Sequence, residues 1–298
     1  MFPERAADQA EGLRRLLLQG STRVVVVAGA QSGLGATSVA VNIAATLAQS
    51  GKRVLVLDEN PPPGNAADML GLNPRHDLLD AVRRGKAWRE IVVHSRHGVR
   101  ILPAAHATRS LPLLPATERE GLLDCLAEAS RGTDIVLVDA APCAVLSPVS
   151  AALVPGQPLL LVLNATAAAI TGSYALIKRL AMGGGRQGFM VAVNKARDGR
   201  DAQTVFRNVE QVARLRLQVR VEYLGFIPAD EKLKRAAQLR CPVAEAFPAE
   251  PVAFSFEEIG RNLMLLPGVG DMEAASLPDE MQRLMGRTPS PNIALAAC

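Results

Sequence analysis

Short apolar runs alternate with longer amphipathic stretches along most of this chain. Seven runs rich in Val, Leu and Ile are predicted as strands, at 23–28, 53–57, 99–102, 134–138, 158–163, 189–193 and 221–225. Six stretches between them have helical spacing, at 36–50, 77–84, 116–130, 171–182, 202–217 and 230–239. Near-continuous apolar strands are typical of a parallel sheet that is buried on both faces. The pattern therefore predicts an α/β fold with a mostly parallel, twisted sheet and helices on both faces.

The two ends of the chain lack this alternation of strands and helices, so the sequence predicts three regions. Residues 1–20 are predicted to form a short helix with its apolar residues on one stripe. Residues 21–266 hold the α/β domain. Its last helical stretch, 253–266, has acidic Glu257 and Glu258 but only Arg261 as a base, so we expect it to pack on the sheet rather than on a membrane. Residues 267–298 carry four acidic and two basic side chains and are predicted to be a mobile tail.

Composition narrows the class of protein. The chain has 298 residues, 49% of them hydrophobic, and a formal net charge of +4. Only 3% are aromatic, which argues against a stacking platform for single-stranded nucleic acid, and so mild a charge does not indicate a DNA partner. The four cysteines form no C-x-x-C pair, which argues against a zinc site and fits a reducing cytoplasm. The four histidines have no ligand spacing and are interpreted as surface side chains.

The segment after the first strand has the form of a phosphate-binding loop. Gly33 and Gly35 lie in a turn that leads directly into a predicted helix, where backbone N–H groups favour an anion. A Walker motif placed here would end at Thr37, but its lysine position holds Ala36. No lysine precedes Lys52, although arginines are frequent throughout the chain. A bias toward arginine alone would have placed arginine in the loop and kept its positive charge. The missing charge therefore indicates that the loop has lost its ability to neutralise phosphate.

The layout resembles the deviant Walker A motif of the MinD/ParA-type ATPases, K-G-G-x-G-K-[ST]-[ST], which here spans residues 31–38. The resemblance extends over about residues 20–265 and implies a P-loop fold with ATP and Mg²⁺ as ligands. It implies Mg²⁺ contacts from Thr37 and Asp139. The nucleotide contacts it implies are Gly33, Leu34, Gly35, Thr37, Ser38, Asp58, Asp139, Asn194 and Pro228.

Four positions depart from that family's pattern, and all four serve phosphate charge or hydrolysis. Gln31 and Ala36 replace the two lysines that face the triphosphate. Asn60 replaces the aspartate that orients the attacking water, and Cys143 replaces a glycine near the γ-phosphate. Because phosphoryl transfer depends on positioning and charge neutralisation, we expect no catalytic residue to remain. ATP and Mg²⁺ are then expected to bind weakly at most, and no cofactor is certain.

The N-terminal stretch from Asp8 to Arg14 reads D-Q-A-x-x-L-R. This motif resembles the first helix of the FlhG/FleN (YlxH) branch of the MinD family, the regulators of flagellar number. The resemblance implies binding to FlhF, a GTPase of the signal-recognition-particle type. The side chains that would bind it are Asp8, Gln9, Ala10, Leu13 and Arg14. The alternative is that the apolar stripe of this helix docks on the protein's own core.

Together these features predict a regulator of flagellar number or placement that lacks ATP hydrolysis and activates FlhF. The resemblance also implies flagellar basal-body or transcriptional-regulator proteins as further partners. We expect a cytoplasmic location, polar or peripheral at the inner membrane, with weak or absent membrane binding. The alternative is a weak, atypical ATPase of MinD/ParA type that acts in positioning at the membrane or nucleoid. Residues 194–240, with eleven basic against six acidic side chains, keep that alternative open.

Overall fold

The computed structural model describes residues 22–142 and 157–265. The strands within them are β1 (Arg23–Gly29), β2 (Val54–Asp58), β3 (Val93–His94), β4 (Val99–Pro103), β5 (Ile135–Asp139), β6 (Leu159–Leu163), β7 (Gly188–Ala196) and β8 (Arg220–Pro228). The helices are α1 (Ala36–Gln49), α2 (Ala66–Met69), α3 (Asp80–Arg83), α4 (Trp88–Ile91), α5 (Ala105–Ser110), α6 (Ala116–Ser130), α7 (Ala167–Gly184), α8 (Gly199–Leu217), α9 (Glu231–Gln238), α10 (Val243–Ala246) and α11 (Pro251–Leu265). The N-terminal motif, Cys143 and the tail lie outside these residues.

The eight strands form one sheet in the order β3-β4-β2-β5-β1-β6-β7-β8. Every pairing is parallel except that of β3 with β4, at the sheet edge. The central strands β1, β2 and β5 consist almost entirely of buried Val, Leu and Ile, as a sheet covered on both faces requires. The sheet therefore brings the carboxyl ends of β1, β2 and β5 side by side.

Apolar side chains fill both faces of the sheet. One cluster joins the sheet to α6, α7 and α8, and the other joins it to α1 and α11. In α11 the side chains of Phe256, Ile259 and Leu263 are buried, which confirms that the C-terminal helical stretch packs on the domain. No helix in the described ranges is both long and apolar enough to cross a membrane.

All seven predicted strands are present, and the predicted fold class is confirmed. The strand β3 was not predicted, because two residues are too few to show an apolar run or an alternating pattern. Two helices begin earlier than their apolar pattern indicates, since a polar side chain caps each start. Thr166 accepts a hydrogen bond from the backbone of Ala169 at 3.3 Å, and Asp198 accepts one from Asp201 at 2.8 Å. The predicted helix at 77–84 is shorter and covers only 80–83.

Candidate functional site

The loop between β1 and α1 keeps the backbone shape of a phosphate-binding loop. Gly33 and Gly35 have φ of +84° and +91°, in the left-handed region that favours glycine. Gly35 forms the N-cap of α1, so the start of this helix faces the loop. A Cβ on Gly35 would overlap the amide nitrogen of Asn194, which donates to the carbonyl oxygen of Leu34 at 2.8 Å. Asn194, which the resemblance implies as a nucleotide contact, therefore also holds the loop itself.

The positive charge beside this loop comes from a different place than the family pattern requires. Ala36 is the first residue of α1, and the neutral side chain of Gln31 is exposed. The ammonium of Lys195, at the end of β7, donates to the carbonyl oxygen of Gly33 at 3.1 Å. Lys195 has a φ of +56°, a conformation that L residues seldom adopt. Sequence reasoning gave Lys195 no role of its own, because its contact with the loop spans 162 positions.

Two buried aspartates lie side by side at the same edge of the sheet. Asp58 and Asp139 end β2 and β5 and are paired in register, with exposed fractions of 1% and 0%. Burial raises the pKa of Asp58 to about 6. Burial, and then the neighbouring Asp58 carboxylate, raises the pKa of Asp139 well above its usual value. Two adjacent buried carboxyl groups resist ionising together, so this pair favours a proton, a hydrogen-bond donor or a cation.

Asn60 provides such a donor. Its amide nitrogen donates to Oδ2 of Asp139 at 2.8 Å and to the backbone oxygen of the same residue at 3.1 Å. Its own backbone N–H donates to Asp58 at 3.1 Å. An aspartate at this position would place a further carboxylate against Asp139. The substitution seen in the sequence therefore does more than remove a carboxylate, since it adds a neutral donor to Asp139.

A third acid, Glu59, ties this acidic pair to the segment after β5. Its side chain is buried, and Oε2 accepts from the backbone N–H of Ala141 at 3.1 Å. The backbone N–H of Glu59 donates to the carbonyl oxygen of Asp139 at 3.1 Å. Sequence reasoning missed Glu59, although a glutamate between Asp58 and Asn60 was visible as an extra acid in the switch segment.

Part of a Mg²⁺ site remains in this geometry. Oδ1 of Asp139 is buried and has no hydrogen-bond partner within the described residues. The Thr37 hydroxyl lies beside Asp139 and favours its charged form. Oxygen ligands of this kind suit Mg²⁺, which commonly takes one or two carboxylates together with phosphate oxygens. The residues that face the phosphates fit less well, because Ala36 supplies neither a charge nor a donor.

The remaining predicted contacts lie where the fold brings these segments together. Leu34 is buried beneath the loop, and the backbone oxygen of Ser38 accepts from the side chain of Asn42 at 2.8 Å. Pro228 ends β8, adjacent to the end of β7 that carries Asn194. The structure therefore gathers all the described nucleotide-site candidates at the carboxyl edge of the sheet.

An open parallel sheet with a glycine-rich loop between β1 and α1, and acidic residues ending β2 and β5, defines a P-loop protein with a MinD-like fold. A family model described as an AAA domain matches residues 22–182. The chain belongs to the MinD/ParA family of P-loop proteins, in its FlhG/FleN branch.

Similar proteins support this placement. The chain is 34% identical to the antiactivator FleN of Pseudomonas aeruginosa, over 81% of this chain and 86% of FleN. It is 22% identical to the flagellum site-determining protein YlxH of Helicobacter pylori, over 86% of each. Among solved structures, the MinD cell division protein of Aquifex aeolicus matches with a TM-score of 0.65 and 23% identity, over 82% of this chain and 97% of that one. This last likeness concerns the fold.

Proposed function

We propose that this protein regulates flagellar number or placement through a MinD-like domain that does not hydrolyse ATP. The flagellar role is supported by the 34% identity to FleN and by the similarity to YlxH. The loss of hydrolysis is supported above all by one observation, the hydrogen bonds from the Asn60 amide to Asp139.

Phosphoryl transfer needs a positioned water and neutralisation of the charge on the transferred group. In this chain Asn60 holds Asp139 by its amide and has no carboxylate with which to orient a water. Ala36 provides no cation to the β- and γ-phosphates. Bound Mg²⁺ would neutralise phosphate charge. Thr37 and Asp139 are the side chains placed to hold it, but they cannot replace the missing lysines.

The hydrolysis claim is tested with the full chain by calorimetric titration of ATP·Mg²⁺ and by an ATPase assay. We expect weak binding and no turnover above background. Ala36→Lys restores a charge-assisted contact and should raise ATP affinity by roughly 10–100-fold. Gln49→Lys adds the same charge at the exposed far end of α1 and should leave the affinity unchanged. Micromolar affinity with measurable turnover in the natural chain would contradict the proposal and favour a weak positioning ATPase.

The second part of the proposal concerns the partner. We infer that the segment at residues 1–20, which the sequence predicts to be helical, binds FlhF and speeds its GTP hydrolysis, with Gln9 and Leu13 in contact. The D-Q-A-x-x-L-R motif and the branch to which the chain belongs support this role. Full-length protein should stimulate FlhF. Gln9→Ala and Leu13→Ala should each abolish most of the stimulation, while Glu11→Ala, at a free position of the motif, should retain it. If the natural chain gives no stimulation, this part is wrong.

A further inference from the structure

A second group of reactive side chains lies at the opposite edge of the sheet from the phosphate loop. His97 lies in the turn that precedes β4, Cys241 follows α9, and Glu245 lies in α10. One potential ligand atom from each lies within 4.8 Å of the others, and within the described ranges no other such cluster of His, Cys, Asp or Glu was found. Residues 97 and 245 are 148 positions apart, so the spacing rule that argued against a zinc site could not detect this cluster.

The histidine of this cluster is held in place. Its side chain is only 1% exposed, so the interpretation of His97 as a surface histidine is wrong. Nδ1 forms a hydrogen bond with the Glu245 carboxylate, which is 44% exposed. The backbone N–H of His97 donates to the Ser95 hydroxyl at 3.3 Å, which fixes the turn. The cluster therefore has a buried, oriented imidazole and a side that is open to solvent.

The three donors are an imidazole nitrogen, a thiol sulfur and a carboxylate oxygen. Zn²⁺ is bound by this combination of atoms in proteins, whereas Mg²⁺ and Ca²⁺ prefer oxygen alone. We propose that His97, Cys241 and Glu245 bind Zn²⁺, with a fourth position left for water or an added ligand. Binding would release the thiol proton of Cys241 and displace the hydrogen bond between His97 and Glu245. This inference is independent of the flagellar proposal and of the nucleotide site.

Arg96 contacts two members of this site, since its side chain also forms a hydrogen bond with Cys241, and its charge sharpens the test. Its Nε donates to Nε2 of His97 at 3.2 Å, and the residue is exposed. A metal on Nδ1 of a neutral imidazole leaves the ring proton on Nε2, where it would meet the Arg96 donor. The guanidinium must then turn into solvent, and its charge lowers the affinity for a cation. In a site built only for hydrogen bonding, Arg96 would instead stabilise the cluster.

The experiment is a titration of metal-free, full-length protein with Co²⁺, a spectroscopic substitute for Zn²⁺. We expect one equivalent to bind with a thiolate-to-cobalt charge-transfer band that added Zn²⁺ removes. Cys241→Ser should abolish the band, whereas Cys125→Ala, which alters a free cysteine elsewhere in the fold, should retain it. Loss of an outer-shell partner typically weakens metal binding by roughly 10–100-fold. Because Glu245 is proposed as a direct ligand, Glu245→Gln should weaken Co²⁺ binding by at least that much.

Arg96→Ala provides the test that a purely structural cluster would fail. It should tighten Co²⁺ binding about tenfold, because a nearby positive charge is removed. The absence of a band in the natural chain, a band that persists in Cys241→Ser, or an Arg96→Ala variant that does not bind more tightly would each overturn the proposal.

Discussion

The phosphate loop and the buried acidic pair lie at the same edge of the sheet, but they depart from the MinD/ParA pattern in different ways. The loop keeps its backbone shape, with Gly33 and Gly35 in the left-handed region, and lacks the lysines at positions 31 and 36. The pair of Asp58 and Asp139 keeps both carboxyl groups and gains a hydrogen bond from the Asn60 side-chain amide to Asp139. The loop has lost positive charge, whereas the acidic pair has gained a hydrogen-bond donor from within the protein.

This difference shows which parts of the nucleotide site are also needed for the fold. Loop shape persists because Gly35 and Asn194 are packed against each other, so any larger residue at 35 would disturb β7 as well. Position 31 is exposed, so a lysine there can be lost without damage to the core, whereas Ala36 is packed against the core at the start of α1. The acids are fully buried, and the Asn60 amide pairs with Oδ2 of Asp139 while Oδ1 of Asp139 has no hydrogen-bond partner among the described residues.

The largest effect is expected from changing the loop shape. Gly35→Ala forces a Cβ into the left-handed region and against Asn194, and it should lower the free energy of unfolding by about 2–5 kcal/mol. Chemical denaturation measures this loss. Gly33→Ala has a similar φ but open space around its Cβ, so it should cost only about 1–2 kcal/mol. Equal losses in the two variants would show that the contact with Asn194 does not define the loop.

The acidic pair should give the protein a stability that falls as pH rises. The pKa of Asp58 is raised from 3.8 to about 6, so the folded chain holds this proton more tightly than the unfolded chain does. That stability is complete below about pH 4 and is lost as pH rises through 6, by about 3 kcal/mol. Denaturation at a series of pH values checks this. Asp58→Asn should make the decline over that range shallower, and the part that remains is that of Asp139, whose pKa is also raised.

Asp134 supplies the control for the pH experiment. Its pKa is lowered to about 2, chiefly by a hydrogen bond from Arg53, so its contribution is lost only as pH falls below about 4. Asp134→Asn should therefore leave the decline between pH 4 and 6 intact. If it removes that decline, Asp58 is not the group responsible.

Asn60→Asp tests whether the acidic pair needs the hydrogen bond from the Asn60 amide. The change replaces a donor 2.8 Å from Asp139 with a carboxylate, and it should destabilise the protein at neutral pH by about 2 kcal/mol. Added Mg²⁺ should reverse part of this loss, since a cation can occupy the place of the lost donor. Asn60→Ala removes the side-chain hydrogen bonds but adds no charge, so its stability should respond less to Mg²⁺. Identical Mg²⁺ responses in both variants would rule out this reading of the pair.

The smallest effect is expected from the lysine that contacts the loop. Lys195→Met removes one exposed hydrogen bond to Gly33 and should cost about 0.5 kcal/mol of stability. It should also weaken ADP binding about fivefold, because it removes a positive charge from the edge of the loop. Lys178→Met, on the exposed surface of α7, makes the same charge change and should leave ADP binding as it was. A Lys195→Met variant with unchanged affinity would mean that this charge does not compensate for the missing lysines.

The fold could be predicted largely from local patterns. Continuous apolar runs identified seven strands, and the glycine spacing located the loop at the end of β1. Asp58 and Asp139 were expected at the site because the family resemblance implies them there. Helix starts were less well predicted. The helices that follow Thr166 and Asp198 begin where these side chains cap them, which is several residues before the apolar spacing begins. The role of the N-terminal motif stays a prediction.

The sequence by itself determined the parallel α/β fold, the turn glycines and the absence of loop lysines, because each depends on residue types at short separations. Only the tertiary structure decided what the side chains do there. Asn60 reaches Asp139 across 79 positions, Lys195 reaches Gly33 across 162, and His97 reaches Glu245 across 148. Such contacts depend on which strand ends and turns the sheet order brings together, and that order is set by packing of the whole core rather than by any local pattern.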